Sequence, residues 1–203
     1  MQSQINPHFL YNTLDSSRWM AVLEQQDGIA LQIEALADVF RHALSRGKDV
    51  VHLAEEVEHL QNYILIQKKR FGDRIRFDIS MQEDMGSCQV LKLILQPLVE
   101  NAIVHGLENK PEGGTVRIRV YSQEDTLLYC VEDDGLGVDL ATFPLATKKK
   151  DNRYNGFALR NIEERIKMMY GEQYGIDFHS VPMEGTRVTV RLPIIRELPE
   201  GKE

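Results

Sequence analysis

The sequence predicts an α+β protein in two segments, helices over residues 1–71 followed by a two-layer α/β sandwich over residues 72–203. Three observations carry this. From Ser3 to Phe71 apolar residues recur every three to four positions and almost nothing alternates, which is the spacing of helices. After Gly72-Asp73, short alternating runs are interleaved with longer helical stretches, an order that places a sheet on one side and helices on the other. Apolar residues make up 42% of the 203 positions, enough to bury a core in one generous domain or two small ones.

In the first segment Asp27-Gly28 and Ser45-Arg46-Gly47 are the convincing breaks, so three helices are expected. Along the second helix Ile29, Ile33, Leu36, Phe40 and Leu44 form one apolar stripe, made to pack on one partner surface. The first helix differs. At roughly 100° per residue, Ile5, Phe9, Thr13, Met20 and Leu23 form one stripe, while Leu10, Leu14 and Ala21 form another well around the cylinder. A helix with two apolar faces belongs inside a bundle. Three helices offer too little surface to cover both, so a second copy of the chain is expected to complete a homodimer, and residues 1–71 read as a helical dimerisation segment. His8 falls outside both stripes, on a flank with Tyr11, Asn12 and Asp15, where solvent or another domain can reach it. Taken alone, Asn6-Pro7-His8 reads as an ordinary helix start, with Asn6 as N-cap, Pro7 at the first helical position and His8 exposed on the first turn.

In the second segment Ile75 to Ile79, Thr115 to Tyr121, Leu127 to Asp133, Ile176 to Ser180 and Thr186 to Leu192 alternate as strands. Val90 to Leu107 and Ala158 to Tyr170 read as helices, and Val138 to Asn155 as a basic loop.

Composition removes several classes of function. A net charge of -7, from 24 basic and 31 acidic residues, lacks the concentrated basic surface that nucleic acid requires. Cys88 and Cys130 are too few for a disulfide framework and too far apart for a CxxC site. A reducing compartment is therefore expected, with both as core fillers. No run approaches the length of a membrane span and the N-terminus carries no signal-peptide pattern, so the chain as given is expected to be a soluble cytoplasmic piece.

Three short patches carry chemistry. In Asn101-Ala102-Ile103-Val104-His105-Gly106, Asn101 and His105 lie four residues apart on one helix face. An amide oxygen there suits a divalent cation and an imidazole suits a phosphate oxygen; a polar helix end is the plainer alternative. Asp133-Asp134-Gly135-Leu136-Gly137 leaves a strand with a carboxylate, able to accept a hydrogen bond from an exocyclic amine, and two glycines that let backbone approach a ligand. The alternative is a simple strand-to-loop turn. Asn155-Gly156-Phe157-Ala158-Leu159-Arg160-Asn161 opens a helix behind a glycine, where backbone amides meet phosphate, although helix starts with glycine are common.

The order N-A-x-x-H-G, D-x-G-x-G, glycine-opened helix, and then Glu184-Gly185-Thr186 before a last strand resembles the ATP-binding domain of the GHKL superfamily, the Bergerat fold. The resemblance implies that Asn101 holds Mg²⁺, that Asp133 reads adenine and that Thr186 supports Asp133. It also places His105 and Arg160 toward the phosphates, with Gly135, Gly137 and Gly156 framing a lid over ATP. Lys148, Lys149, Lys150 and Arg153 lie in that lid, where they could meet phosphate or form a solvated loop. The N-terminal Q-I-N-P-H-F-L-Y-N-T-L, with V-x-L-A-E-E-V-E-H-L-Q-N-Y-I-L-I-Q-K-K-R-F-G-D-R further on, is similar to the LytS-type sensor histidine kinases over nearly the whole chain. That similarity implies that His8 is the phosphoacceptor and that the phosphoryl group passes on to an aspartate of a response regulator protein. Imidazole suits this, being partly neutral and nucleophilic near pH 7. Placing His8 and the ATP site on separate segments implies a hinge near Phe71 to Arg74.

Two departures stand out. Ala158 occupies the second glycine position of the phosphate-helix motif. Phe9 follows the phosphoacceptor where many histidine kinases carry an acid, which leaves Asn12, one turn along, to orient the His8 ring. Against an ATP hydrolase of the gyrase or MutL kind stands Pro97, at the position of the water-activating glutamate. A degenerate kinase that binds nucleotide without transfer, and a serine kinase on the same fold, are the other readings. With only seven residues before His8, the chain is expected to be the cytoplasmic part of a membrane-bound sensor whose input segments lie elsewhere.

Overall fold

The computed structural model describes residues 7–44, 49–139 and 157–196. Ile5, Asn6, Ser45 to Gly47, Lys148 to Lys150, Arg153 and Gly156 lie outside the described residues. Helix α1 (Pro7–Leu23) and helix α2 (Asp27–Leu44) pack as a hairpin around a three-residue turn. The short strand β1 (Val50–His52) leads directly into helix α3 (Leu53–Phe71). A 3-10 turn (Gly72–Arg74) precedes strands β2 (Ile75–Met81) and β3 (Gln89–Leu91). Helix α4 (Leu95–Asn101) continues as a π-helical turn (Ala102–Leu107), then come β4 (Gly114–Gln123), β5 (Thr126–Asp133), helix α5 (Phe157–Tyr170), β6 (Gly175–Val181) and β7 (Gly185–Pro193).

The chain forms two compact units, Met1–Lys48 with Val57–Gly72, and Asp49–Glu56 with Asp73–Glu203. In the first, the two stripes of α1 have different fates. Ala21 is buried and Leu14 lies with Ile33 and Ala37 of α2. Phe9, Met20 and Leu23 are 71%, 63% and 79% exposed. Tyr11 Oη donates to the Phe40 carbonyl at 3.4 Å and ties the open end of the hairpin.

The second unit is built on a five-stranded sheet in the order β2-β4-β5-β7-β6, parallel between β2 and β4 and antiparallel elsewhere. Alternation sets its two faces. Val116, Ile118 and Val120 of β4 are buried with Tyr129 and Val131 of β5, whereas Arg117 and Arg119 are exposed. The buried face packs on α4, α5 and the π-helical turn, whose Leu95, Leu98, Ile103, Leu107, Ile162 and Ile166 complete the core. On the outer face Glu132 bridges Arg119, at 2.9 Å, and Arg187.

Two local readings of the sequence are corrected. The helix expected over Val90 to Leu107 begins only at Leu95, because Gln89–Leu91 pairs antiparallel with Val50–His52 and Leu93 takes a positive φ of 59°. Pro97 then falls in the first turn, where a missing N–H is harmless, whereas within a helix begun at Val90 it would break the ladder. The run expected to hold three helices also contains β1, so Asp49–Glu56 joins the sheet-bearing unit. A three-residue strand leaves no period to read.

Candidate functional site

The face of α4 and the π-helical turn that looks onto the sheet lines an open cleft. Asn101, His105 and Gly106 form one wall, Asp133 and Val131 of β5 the floor, and Thr186 of β7 and Leu159 of α5 the remaining sides. Apolar walls with a few convergent polar groups describe a small-molecule site.

Asp133 is the buried charge of this cleft, only 8% exposed. Its Oδ1 accepts the Gly135 N–H at 2.9 Å. Burial pushes its carboxyl up to about 6, and Asp134 adds to the rise; hydrogen bonds from the Gly135 and Thr186 backbone and the charge of Lys110 oppose it. An ionised carboxylate held in so little water is an acceptor seeking a donor, which an amino group of a ligand supplies. Thr186 supports Asp133 through its backbone, while its hydroxyl pairs with Ser180 Oγ at 2.9 Å. Ser180 Oγ donates to the Gly185 carbonyl at 3.1 Å and accepts the Val138 N–H at 2.9 Å, so the Thr186 hydroxyl is the donor between the two.

The glycines here are required by contact. A Cβ on Gly106 would stand 2.4 Å from Asp133 Oδ1, and one on Gly135 would stand 2.3 Å from the Gly106 carbonyl. That carbonyl accepts the Leu136 N–H at 2.9 Å, so the helical turn and the Asp133–Gly137 loop interlock backbone to backbone. Gly137 has a positive φ of 58°, and a side chain there would strike the Val181 carbonyl.

Asn101 and His105 both line the cleft, as their spacing predicts. One atom of the Asn101 amide, Nδ2, is buried with no partner, an unsatisfied polar group of the kind a ligand or its hydration completes. His105 is half-buried and burial lowers its pKa against the raising effect of Glu100 and Glu108, so a neutral imidazole stands in the cleft near pH 7. Arg160 is not brought to the cleft: its Nε lies 3.0 Å from Glu164 Oε1 on its own helix. Ala158 is exposed, and its neighbour Leu159 forms part of the wall.

In the other unit His8 is exposed on the first turn of α1. Its Nδ1 lies 3.3 Å from Asn12 Nδ2, on the flank where i and i+4 meet. Sequence reasoning missed Ser180, Lys110 and Asp134. Asp134 Oδ1 accepts the Thr115 N–H at 2.8 Å, and Lys110 Nζ donates to the Asp134 carbonyl, bracing the loop from behind. Only the acidic doublet Asp133-Asp134 hinted at any of them.

Comparisons with known proteins identify the family. A histidine kinase family model matches residues 1–75, and the model of the histidine kinase-, DNA gyrase B- and HSP90-like ATPases matches residues 86–196. The sensor histidine kinase YesM of Bacillus subtilis is 36% identical over 198 residues, 98% of this chain and 33% of that protein. The sensor histidine kinase BtsS of Escherichia coli is 31% identical over 194 residues, 95% of this chain and 32% of that protein. The chain thus spans about one third of the curated relatives it matches. Among solved structures, the histidine kinase domain of the blue-light activated histidine kinase from Erythrobacter litoralis EL346 superposes with a TM-score of 0.56 at 16% identity, covering 93% of this chain and 94% of that one. The mycobacterial sensor histidine kinase MprB gives 0.51 at 18% identity, over 74% of this chain and 100% of that one. These two likenesses speak for the fold. With both family models in chain order, the chain belongs to the histidine kinases whose ATP-binding domain is of the histidine kinase-, DNA gyrase B- and HSP90-like ATPase family.

Proposed function

We propose that this chain is the kinase part of a two-component sensor: it binds ATP with Mg²⁺ in the cleft, phosphorylates itself on His8, and passes the phosphoryl group to a response-regulator aspartate. One observation carries the reading. A single chain holds a mostly apolar cleft floored by the buried Asp133 and, on a separate helix, an exposed histidine beside Asn12.

Asp133 accepts the exocyclic amine of adenine, with Thr186, Gly135 and Lys110 holding its carboxylate in place. His105, as a neutral donor, meets a phosphate oxygen. Asn101 serves the metal. Mg²⁺ keeps several waters and is held by few protein oxygens together with substrate phosphates. A site with one cleft amide, and no group of three or more potential ligands among the described residues, fits that habit. When bound, the ion neutralises charge on the phosphates. Arg160 joins the phosphates only by leaving Glu164, and an exposed helical pair of this kind is worth only about 0.3–0.5 kcal/mol. Gly135 and Gly137 let the backbone run close beside the cleft.

In transfer, a ring nitrogen of His8 attacks the γ-phosphorus. The bond from phosphorus to the ADP oxygen breaks, ADP leaves with the electron pair, and the ring proton is released. Asn12 orients the ring. Hydrolysis by the gyrase route is disfavoured, since Pro97 has no group to polarise water and lies in the first turn of α4. The exposed α1 stripe of Phe9, Met20 and Leu23 supports a homodimer. No described helix is long and apolar enough to cross a membrane.

The test is incubation with γ-labelled ATP and Mg²⁺. An acid-labile, alkali-stable label that vanishes in His8→Gln is expected. A label that survives in that variant refutes the assignment, and nucleotide binding without any label marks a degenerate kinase.

A further inference from the structure

Glu56 is a charged residue with 0% exposure, in the first turn of α3. Its carboxylate serves a helix far along the chain. Oε2 accepts the Leu93 N–H at 2.9 Å, and Oε1 accepts those of Ile94 at 2.7 Å and Leu95 at 2.9 Å. The leading N–H groups of a helix have no partners within it. The residue before α4 is Ile94, which makes no side-chain cap bond, so the start of α4 is defined by Glu56.

We infer that Glu56 is a positioning residue for the nucleotide cleft, setting the N-terminus of α4 and through it the placement of Asn101 and His105. The inference rests on the nucleotide reading of that cleft. Helix α4 is only Leu95–Asn101, two turns, so the direction of its start decides where its end lies. Its end is Asn101, followed at once by the turn that carries His105 and Gly106 against Asp133.

The junction is held on every side. Leu93 sits at φ 59°, a conformation a bulky residue keeps only when its surroundings impose it. The Lys92 N–H donates to the Asp49 carbonyl at 3.0 Å and the Leu53 N–H to that of Cys88 at 2.8 Å, so the strand pair β1–β3 fixes both chains beside the carboxylate. Leu53, Ile94 and Leu95 beside it are fully buried. A carboxylate suits that setting only through the bonds it makes.

Helix α3 is continuous from Leu53 to Phe71, yet its first four residues belong to the cleft-bearing unit and the rest to the helical unit. Glu56 is thus the last residue of α3 on the cleft side. Within that unit, a change in the bonds of the Glu56 carboxylate reaches Asn101 and His105 through α4. Binding linkage makes the effect reciprocal, so a filled cleft tightens the clamp.

The test uses the full chain. Glu56→Gln keeps one carbonyl oxygen for Ile94 and Leu95 but turns an amide NH₂ toward the Leu93 N–H. Calorimetric titration with Mg²⁺ and a non-hydrolysable ATP analogue should give a Kd raised about 10-fold, at the low end of the 10–100-fold loss seen when a group supporting a metal ligand is removed. Glu55→Gln, an exposed neighbour, should leave Kd unchanged. A Glu56→Gln protein that melts earlier but binds as tightly as wild type reduces Glu56 to a structural group and overturns the inference alone. Wild type that binds no analogue overturns the nucleotide reading, and the inference with it. If Glu56→Gln does not fold, hydrogen exchange on wild type decides. The amides of Leu93, Ile94 and Leu95 should slow several-fold when analogue is added, and unchanged exchange there, with protection elsewhere in the cleft, refutes the coupling.

Discussion

Replacing Asp133 with asparagine sets stability against ligand binding at one atom pair. The carboxyl, ordinarily near 3.8, is held at about 6 by burial. Each pKa unit is about 1.4 kcal/mol, so keeping Asp133 ionised at pH 7.5 opposes folding by about 3 kcal/mol. Asparagine cannot ionise and retains an oxygen for the Gly135 N–H. It presents NH₂ where the Thr186 N–H donates, which returns about 1–2 kcal/mol of that gain. The nucleotide-free variant should therefore be more stable by about 1–2 kcal/mol at pH 7.5, a rise of roughly 3–6 °C in Tm for a unit of this size. The pH dependence carries the sign. Below pH 3.8 both folded and unfolded wild type hold the proton, and the advantage of Asp133→Asn vanishes. Between 3.8 and about 6 the unfolded chain releases its proton first, wild type loses stability, and the gap opens; above 6 it is constant. Adding an ATP analogue at about 100 times its Kd should stabilise wild type by about 2.7 kcal/mol and leave the variant unmoved. Scanning fluorimetry from pH 4 to 7.5, with and without analogue, reads all of this. A nucleotide-free variant less stable than wild type at pH 7.5, or a gap that does not change with pH, refutes the account of Asp133 as a strained acceptor.

Two further variants probe the cleft and, separately, the exposed face of α1. Gly106→Ala places a methyl group 2.4 Å from Asp133 Oδ1 and should destabilise by about 1–3 kcal/mol while weakening nucleotide binding at least 10-fold; unchanged melting and Kd would show that the turn and the loop are not interlocked. Phe9→Glu with Leu23→Glu puts charge on the exposed α1 stripe and should convert a dimer to a monomer in light scattering without loss of helix content, whereas a persistent dimer locates the interface elsewhere.

Much of the cleft was legible because its chemistry is local. Asn101 and His105 share a face at four-residue spacing, and they meet in the cleft even though the turn between them is π-helical. Asp133, Gly135 and Gly137 follow one strand, so a single register places all three. What escaped was long-range. Ser180 looked like one polar residue of an alternating strand, yet it bonds Thr186, Gly185 and Val138. Lys110 gave no pattern at all, yet it bonds the Asp134 carbonyl. The start of α4 was misplaced for the same reason. A run of apolar residues from Val90 onward has the same texture whether it begins as an edge strand or as helix, and β1, its partner, lies about forty residues upstream.

The longer helices and strands, the polar residues at Asn101, Asp133 and Thr186 and the exposure of His8 beside Asn12 were already written in the chain, because period, spacing and helix-start chemistry act over a few residues. Three things depended on folding. The pKa of Asp133 rises because distant elements remove its water, Gly106 is required because a loop presses against it, and Glu56 becomes the cap of α4 because strand pairing brings α3 to it. Each of these is a contact between residues far apart in sequence, whose existence depends on the packing of whole elements.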